Sequence, residues 1–251
     1  MDPSRPLKTV KMKQFKTIAL AFTLCLISLT VNAQKIVEED LEYNNQFIDL
    51  DVKFASHIEV KTWEKNSVYF KASIFTEDSK FQDLHKIDFT TNSNLIHIES
   101  KAEPVFEAYR EDCLKNNPDR KRYCYNTGNL TEFNYVLYVP KNARFKISSI
   151  NGDLKSEVIE GNFEADLING NIEIATYAGD LELSTINGEI DLRMQDADVV
   201  AETIHGDIYA DAKLKFNSTD RHVGQKISGS LGKASNRIRL NTINGNMYLR
   251  L

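Results

Sequence analysis

A nine-residue period runs from Ser149 to Asp211 and limits the possible folds more than any other feature of the chain. Cut into nines, the stretch reads SINGDLKSE, VIEGNFEAD, LINGNIEIA, TYAGDLELS, TINGEIDLR, MQDADVVAE and TIHGDIYAD. The fourth column holds Gly152, Gly161, Gly170, Gly179, Gly188, Ala197 and Gly206. The sixth holds Leu154, Phe163, Ile172, Leu181, Ile190, Val199 and Ile208, and the eighth is small or aliphatic throughout. Odd units carry Asn151, Asn169, Asn187 and His205 before the glycine, whereas even units carry Glu160, Ala178 and Asp196. The true repeat is therefore a pair of nines, and a fixed period of this kind marks a stacked architecture.

Columns six and eight lie two positions apart, the strand period, so their side chains share one face. Asn-Gly before them suits backbone with positive φ. Each unit is thus predicted to be a turn followed by a short strand, and two units make one coil. One such coil cannot bury its apolar face alone. Coils stacked about 4.8 Å apart make a continuous core and complete each other's backbone hydrogen bonds. The period predicts a ladder of turn pairs: Asn151-Gly152, Asn169-Gly170, Asn187-Gly188 and His205-Gly206, with Asn244-Gly245 as another odd unit near the chain end. Such a row either faces a ligand or consists of left-handed turn residues with stacked amides, and the structural reading is preferred. A calcium roll would need G-G-x-G-x-D in every unit, and a left-handed helix with 18-residue coils of three sixes would place its glycines elsewhere.

Residues 1–33 read as a removable export signal. Lys8, Lys11, Lys13 and Lys16 precede an apolar run from Ile18 to Val31, and Val31-Asn32-Ala33 offers a cleavage site. Without that segment, which carries five Lys/Arg and one Asp, 26 basic and 35 acidic side chains remain, a net charge near −9. An acidic exported protein is a poor partner for nucleic acid or an anionic lipid surface, and no later run is long enough to span a membrane.

Residues 34–148 form a less regular β portion, with alternation over 48–52, 58–60, 68–74 and 96–98. Trp63 is read as a strand-end aromatic covering the core, with a sugar-stacking platform as the rival. Residues 103–132 interrupt the pattern, with a short helix over 104–113 and a turn at 116–119. Cys113 and Cys124, the two cysteines left after export, are expected to form a disulfide. The loop they close contains Arg120, Arg122 and Tyr123, with Tyr125 just beyond, and is the candidate binding loop; the plainer reading is an insertion stapled because it lacks a core. The regular repeats occupy 149–251, with an irregular loop or coil expected over 213–236. The last strand is expected to leave an exposed edge through which copies could associate. In this reading residues 34–251 form one continuous domain.

The I-N-G-[DNE]-[IL] units, the V-P-K-N-A-x-F-x-I lead-in at 139–147 and the signal peptide together resemble the exported bacterial "putative adhesin" β-repeat family, a domain of unknown function. The resemblance implies an all-β, single-chain, right-handed β-solenoid outside the cytoplasm. It carries over no catalytic residue set. The sequence itself supplies none: the histidines lack metal-ligand spacing, no nucleophile elbow exists, and the 229–235 stretch departs from a phosphate loop. Neither metal nor cofactor is expected. The expected function is non-catalytic binding in the cell envelope or at the surface, to an unidentified protein or glycan. Two alternatives remain: a periplasmic scaffold or sensor, and a polysaccharide-cleaving β-helix using Asp153, Glu189 or Asp207.

Overall fold

The computed structural model describes residues 34–117, 124, 130–219 and 222–251. Short alternating segments give β1 (Lys35–Glu42), β2 (Phe47–Asp51), β3 (Phe54–Trp63), β4 (Ser67–Thr76), β5 (Lys86–Thr91) and β6 (Leu95–Lys101). A helix over Glu103–Asn116 follows, longer than the sequence suggested. Next come β7 (Thr131–Pro140), β8 (Ala143–Ser156), β9 (Ile159–Asn169), β10 (Ile172–Ile174), β11 (Tyr177–Ala178), β12 (Leu181–Asn187) and β13 (Ile190–Arg193). The last are β14 (Ala197–Thr203), β15 (Ile208–Ala210), β16 (Asn217–Thr219), β17 (Gln225–Leu231), β18 (Asn236–Thr242) and β19 (Met247–Arg250).

Apart from β11, which pairs with the start of β9 in a short separate sheet, these strands pair into two long walls that share β8. The first wall runs β5, β6, β2, β8, β9, β12, β18, β14, β17, β16. The second runs β1, β4, β7, β3, β8, β10, β13, β19, β15. Within the repeats the pairing is parallel, and Leu154, Ile172 and Ile190 stand in line, each one full repeat after the last. Phe163 and Leu181 are offset by the same full repeat in the other wall. Alternation puts one side chain in two inward, so both walls contribute to one core. Antiparallel hairpins finish both ends of the first wall, and antiparallel β1 finishes one end of the second.

The chain end departs from the expected order. Leu181 and Val199 are one full repeat apart, yet they are not neighbours, because Ile238 of β18 pairs with both. Met247 of β19 likewise lies between Ile190 and Ile208. The final two strands are thus inserted between rungs that the period would make adjacent. The expected exposed edge at the C-terminus is therefore corrected: β18 and β19 are each paired on both sides. The segment 194–196 steps past the rung that β18 and β19 fill, a separation of about 9.6 Å that three or four extended residues can span. The step is pinned by the later chain. Asn236 accepts from the Gly179 N–H at 2.8 Å and donates to the Asp196 carbonyl at 2.7 Å. The Asp196 carboxylate accepts from the Lys233 N–H and, at 2.6 Å, from the Ser235 hydroxyl. The irregular coil expected over 213–236 contains instead the β16–β17 hairpin, which covers β14 on the side away from β18.

Candidate functional site

The predicted turn ladder exists, in a different order. The Asn169 amide donates to Asn151 at 3.0 Å, Asn187 to Asn169 at 2.8 Å, and Asn244 to Asn187 at 2.8 Å. Asn244 therefore takes the rung expected for His205, which stands one step further along. The reason for glycine also needs correcting. None of these asparagines has positive φ, and neither do Gly170, Gly188, Gly206 and Gly245; only Gly152 of the odd-unit glycines does, at 125°. Close approach is the constraint. A methyl on Gly188 would overlap the Gly170 carbonyl oxygen, and one on Gly245 would overlap that of Gly188. Thr185, Thr242 and Thr203 reinforce the row by donating to the carbonyls of Gly170, Gly188 and Gly245.

The residues after these glycines are similarly engaged. Asp153 accepts from the Asn171 N–H at 2.8 Å, and Asn171 from the Glu189 N–H at 2.8 Å. Asn246 separates Glu189 from Asp207: it donates to Glu189 at 3.2 Å and accepts from the Asp207 N–H at 3.0 Å. Of the three residues singled out for polysaccharide cleavage, Asp153 and Glu189 thus bond rung to rung through their carboxylates, and Asp207 does so through its backbone N–H. Beside the amide row runs a stripe of exposed isoleucines, Ile168, Ile186, Ile243 and Ile204.

Cys113 and Cys124 are disulfide-bonded. Arg120, Arg122, Tyr123 and Tyr125 lie outside the described residues. The helix entering that loop is docked: Val105 and Tyr109 are buried, Phe106 packs edge-on against Phe54, and the Tyr109 hydroxyl accepts from the Asp78 N–H. Trp63 is engaged too. Its indole N–H donates to the Ser67 carbonyl at 2.8 Å, its ring packs beside Tyr69 and Tyr138, and Lys65 lies over it.

Two arrangements escaped the sequence reading. In the core, Ser100, His85 and Tyr135 bond to one another at 2.7–3.1 Å. Burial holds the His85 pKa down at about 4, with the Lys35 charge adding to the effect, and pushes the Tyr135 hydroxyl up. A serine–histidine pair sealed this deeply is structural, since no substrate reaches it. At the far end of the second wall, Tyr209 and Tyr248 stack with ring centres 5.4 Å apart and planes 12° from parallel. They are distant in the chain, so only the inserted last strand brings them together. The nearby Asp207 carboxylate accepts from the Tyr209 hydroxyl at 3.3 Å and holds its pKa above the ordinary value.

Among the described residues, no group of three or more His, Cys, Asp or Glu is placed to hold a metal, and no helix is long and apolar enough to cross a membrane. Residues 135–250 match the family described as Toastrack DUF4097. A solved "putative cell adhesion protein" from Clostridium sporogenes ATCC 15579 is 13% identical over 87% of this chain and 99% of its own, with a TM-score of 0.56. A "putative adhesin" from Bacteroides fragilis NCTC 9343 aligns over 87% of this chain and 98% of its own at 10% identity and a TM-score of 0.32. Another, from Parabacteroides merdae ATCC 43184, aligns over 86% and 80% at 13% identity and a TM-score of 0.36. The first likeness concerns the fold alone, and the other two superpose too loosely to carry an argument. No curated protein matches the chain.

Proposed function

We propose that this chain is an exported, non-catalytic, adhesin-like binding protein of the cell envelope or surface, built as a right-handed β-solenoid whose coils each comprise two of the nine-residue units. The observation that carries this reading is how the outward polar groups are used. Asparagine amides and acidic side chains along the stack hydrogen-bond from rung to rung. Such ladders stiffen an extended surface, and a stiff surface loses little freedom on meeting a partner. The likeness in fold to a protein described as a putative cell adhesion protein agrees with that role. The leader-like residues 1–33 supply the export argument, and the stapled loop with Arg120, Arg122, Tyr123 and Tyr125 remains a candidate contact.

The test is protease shaving of intact producing cells, with an epitope tag after Leu251, a residue 52% exposed, and a periplasmic control protein. Digestion of the tag while the control survives is the expected result and supports an adhesive role. Full protection would move the protein to the periplasm and favour a scaffold or sensor. A polysaccharide-cleaving enzyme would instead release reducing ends from a glycan panel and lose that activity on Glu189→Gln or Asp207→Asn.

A further inference from the structure

The outer face of the second wall ends in a patch unlike the rest of the stack. By the strand period, Asp207, Tyr209 and Asp211 project from one side of β15, and Asn246, Tyr248 and Arg250 from the same side of β19. The two tyrosines form its centre. Tyr209 is 51% exposed although its hydroxyl is anchored on Asp207, and Asp207 is itself fixed by Gln225 at 2.9 Å. Tyr248 is braced in turn by Glu189, which accepts from its hydroxyl at 3.3 Å, and by the Arg250 guanidinium 5.3 Å from its ring centre. Arg250 is held by Asp191 at 2.7–2.9 Å.

Because β15 is the last rung of the second wall, Tyr248 occupies one side of the Tyr209 ring. Among the described residues, no strand pairs beyond the other. The result is a rigid aromatic face with hydrogen-bonding groups at its rim, set at an open end of the molecule. We infer that Tyr209, backed by Tyr248, is a stacking platform for a pyranose ring of a neutral or N-acetylated glycan, with Asp207 and Asp211 accepting from its hydroxyls. The C–H face of a pyranose suits an aromatic plane, and a ring fixed before binding gives up little rotamer entropy. The carboxylates around the platform, in a chain with more acidic than basic side chains, disfavour anionic sugars. Trp63 does not compete for this role, because Lys65 and Tyr138 occupy its ring.

This inference rests on the binding reading and adds the ligand class and the site. The test uses the purified protein with chitohexaose, cellohexaose, mannohexaose and the anionic hexamer of galacturonic acid as probes, read by saturation-transfer NMR and titration. At least one neutral probe is expected to bind, with the hexagalacturonate weaker. Tyr209→Ala should weaken binding about tenfold, while Tyr209→Phe, which keeps the plane, should stay within about threefold. Circular dichroism and a thermal melt confirm that both variants fold. Unchanged glycan binding by folded Tyr209→Ala would overturn the site and leave the binding reading standing. Absence of binding to every neutral probe, or preference for the hexagalacturonate, would overturn the ligand class. The shaving experiment addresses the surface role separately. Probe hydrolysis that is lost on Asp207→Asn would overturn both readings together.

Discussion

The two ends of the stack solve the same packing problem by different means. The chain contains no glycine before Gly128, and all eleven of its glycines lie from there onward. The early strands fill their core with volume: Phe70, Phe133, Tyr135 and Phe145 are fully buried, and Phe70 and Phe133 pack beside the polar cluster of Ser100, His85 and Tyr135. The repeats fill theirs with smaller aliphatics such as Ile172, Leu183, Ile190, Leu192 and Val199. Where identical rungs stack, the tightest contacts are between backbones, so removing a Cβ matters most. Where rungs differ, antiparallel hairpins and aromatic volume take up the irregularity, and glycine has no place to serve. A periodic sequence and an aperiodic one thus pair into the same walls through β8, which belongs to both.

That contrast can be broken first at Gly188. A methyl there meets the Gly170 carbonyl with parallel strands fixed on both sides, so Gly188→Ala should cost more than about 4 kcal/mol and abolish a cooperative urea transition. A normal urea midpoint would show that the rungs can spread and that close approach is not the constraint.

The second test falls on the aromatic end. Folding lowers the His85 pKa from 6.5 to about 4, so the neutral ring is the form the native core accepts. Its contribution is complete above pH 6.5. Between pH 6.5 and 4 the unfolded chain takes up a proton that the folded chain refuses, and stability falls by about 3 kcal/mol as the pH drops. Urea midpoints across this range should follow that slope, and His85→Leu should flatten it. Hydrogen exchange at pH 4.5 should show β5–β7 opening before β10–β13. Earlier opening of the repeats would reverse the assignment of the acid-sensitive end.

The smallest effect is expected at the amide ladder. Asn169→Ala removes one donated and one accepted side-chain bond on an exposed row and should cost about 1 kcal/mol, with the fold intact. A loss as large as that at Gly188 would mean the amides, rather than the glycines, set the rung spacing.

Much of this is legible in the chain. Apolar residues two apart identify the strands, and the alternation of I-N-G units identifies which columns align. Cys113 and Cys124 can be paired because they are the two cysteines outside residues 1–33. Even the interruption leaves a trace: Ala197 replaces glycine, and it sits where the neighbouring rung is Asn236 rather than another glycine turn. Reading that trace as an insertion is beyond the sequence, because a missing glycine reports relaxed contact without saying which segment supplies the new neighbour. The Tyr209–Tyr248 pair is hidden for the same reason.

The sequence by itself determined the local units, since strand alternation and the demand for a bare Cα at each turn are properties of a few adjacent residues. Only the tertiary structure decided their order. Parallel rungs accept any strand whose inward columns match, and the terminal unit matched the gap between β13 and β15 as well as it matched an end. Filling that gap satisfies hydrogen bonds on both sides of the last strands, where a terminal position would satisfy one. That choice moved the open edge from the chain's end to β15 and placed Tyr209 upon it.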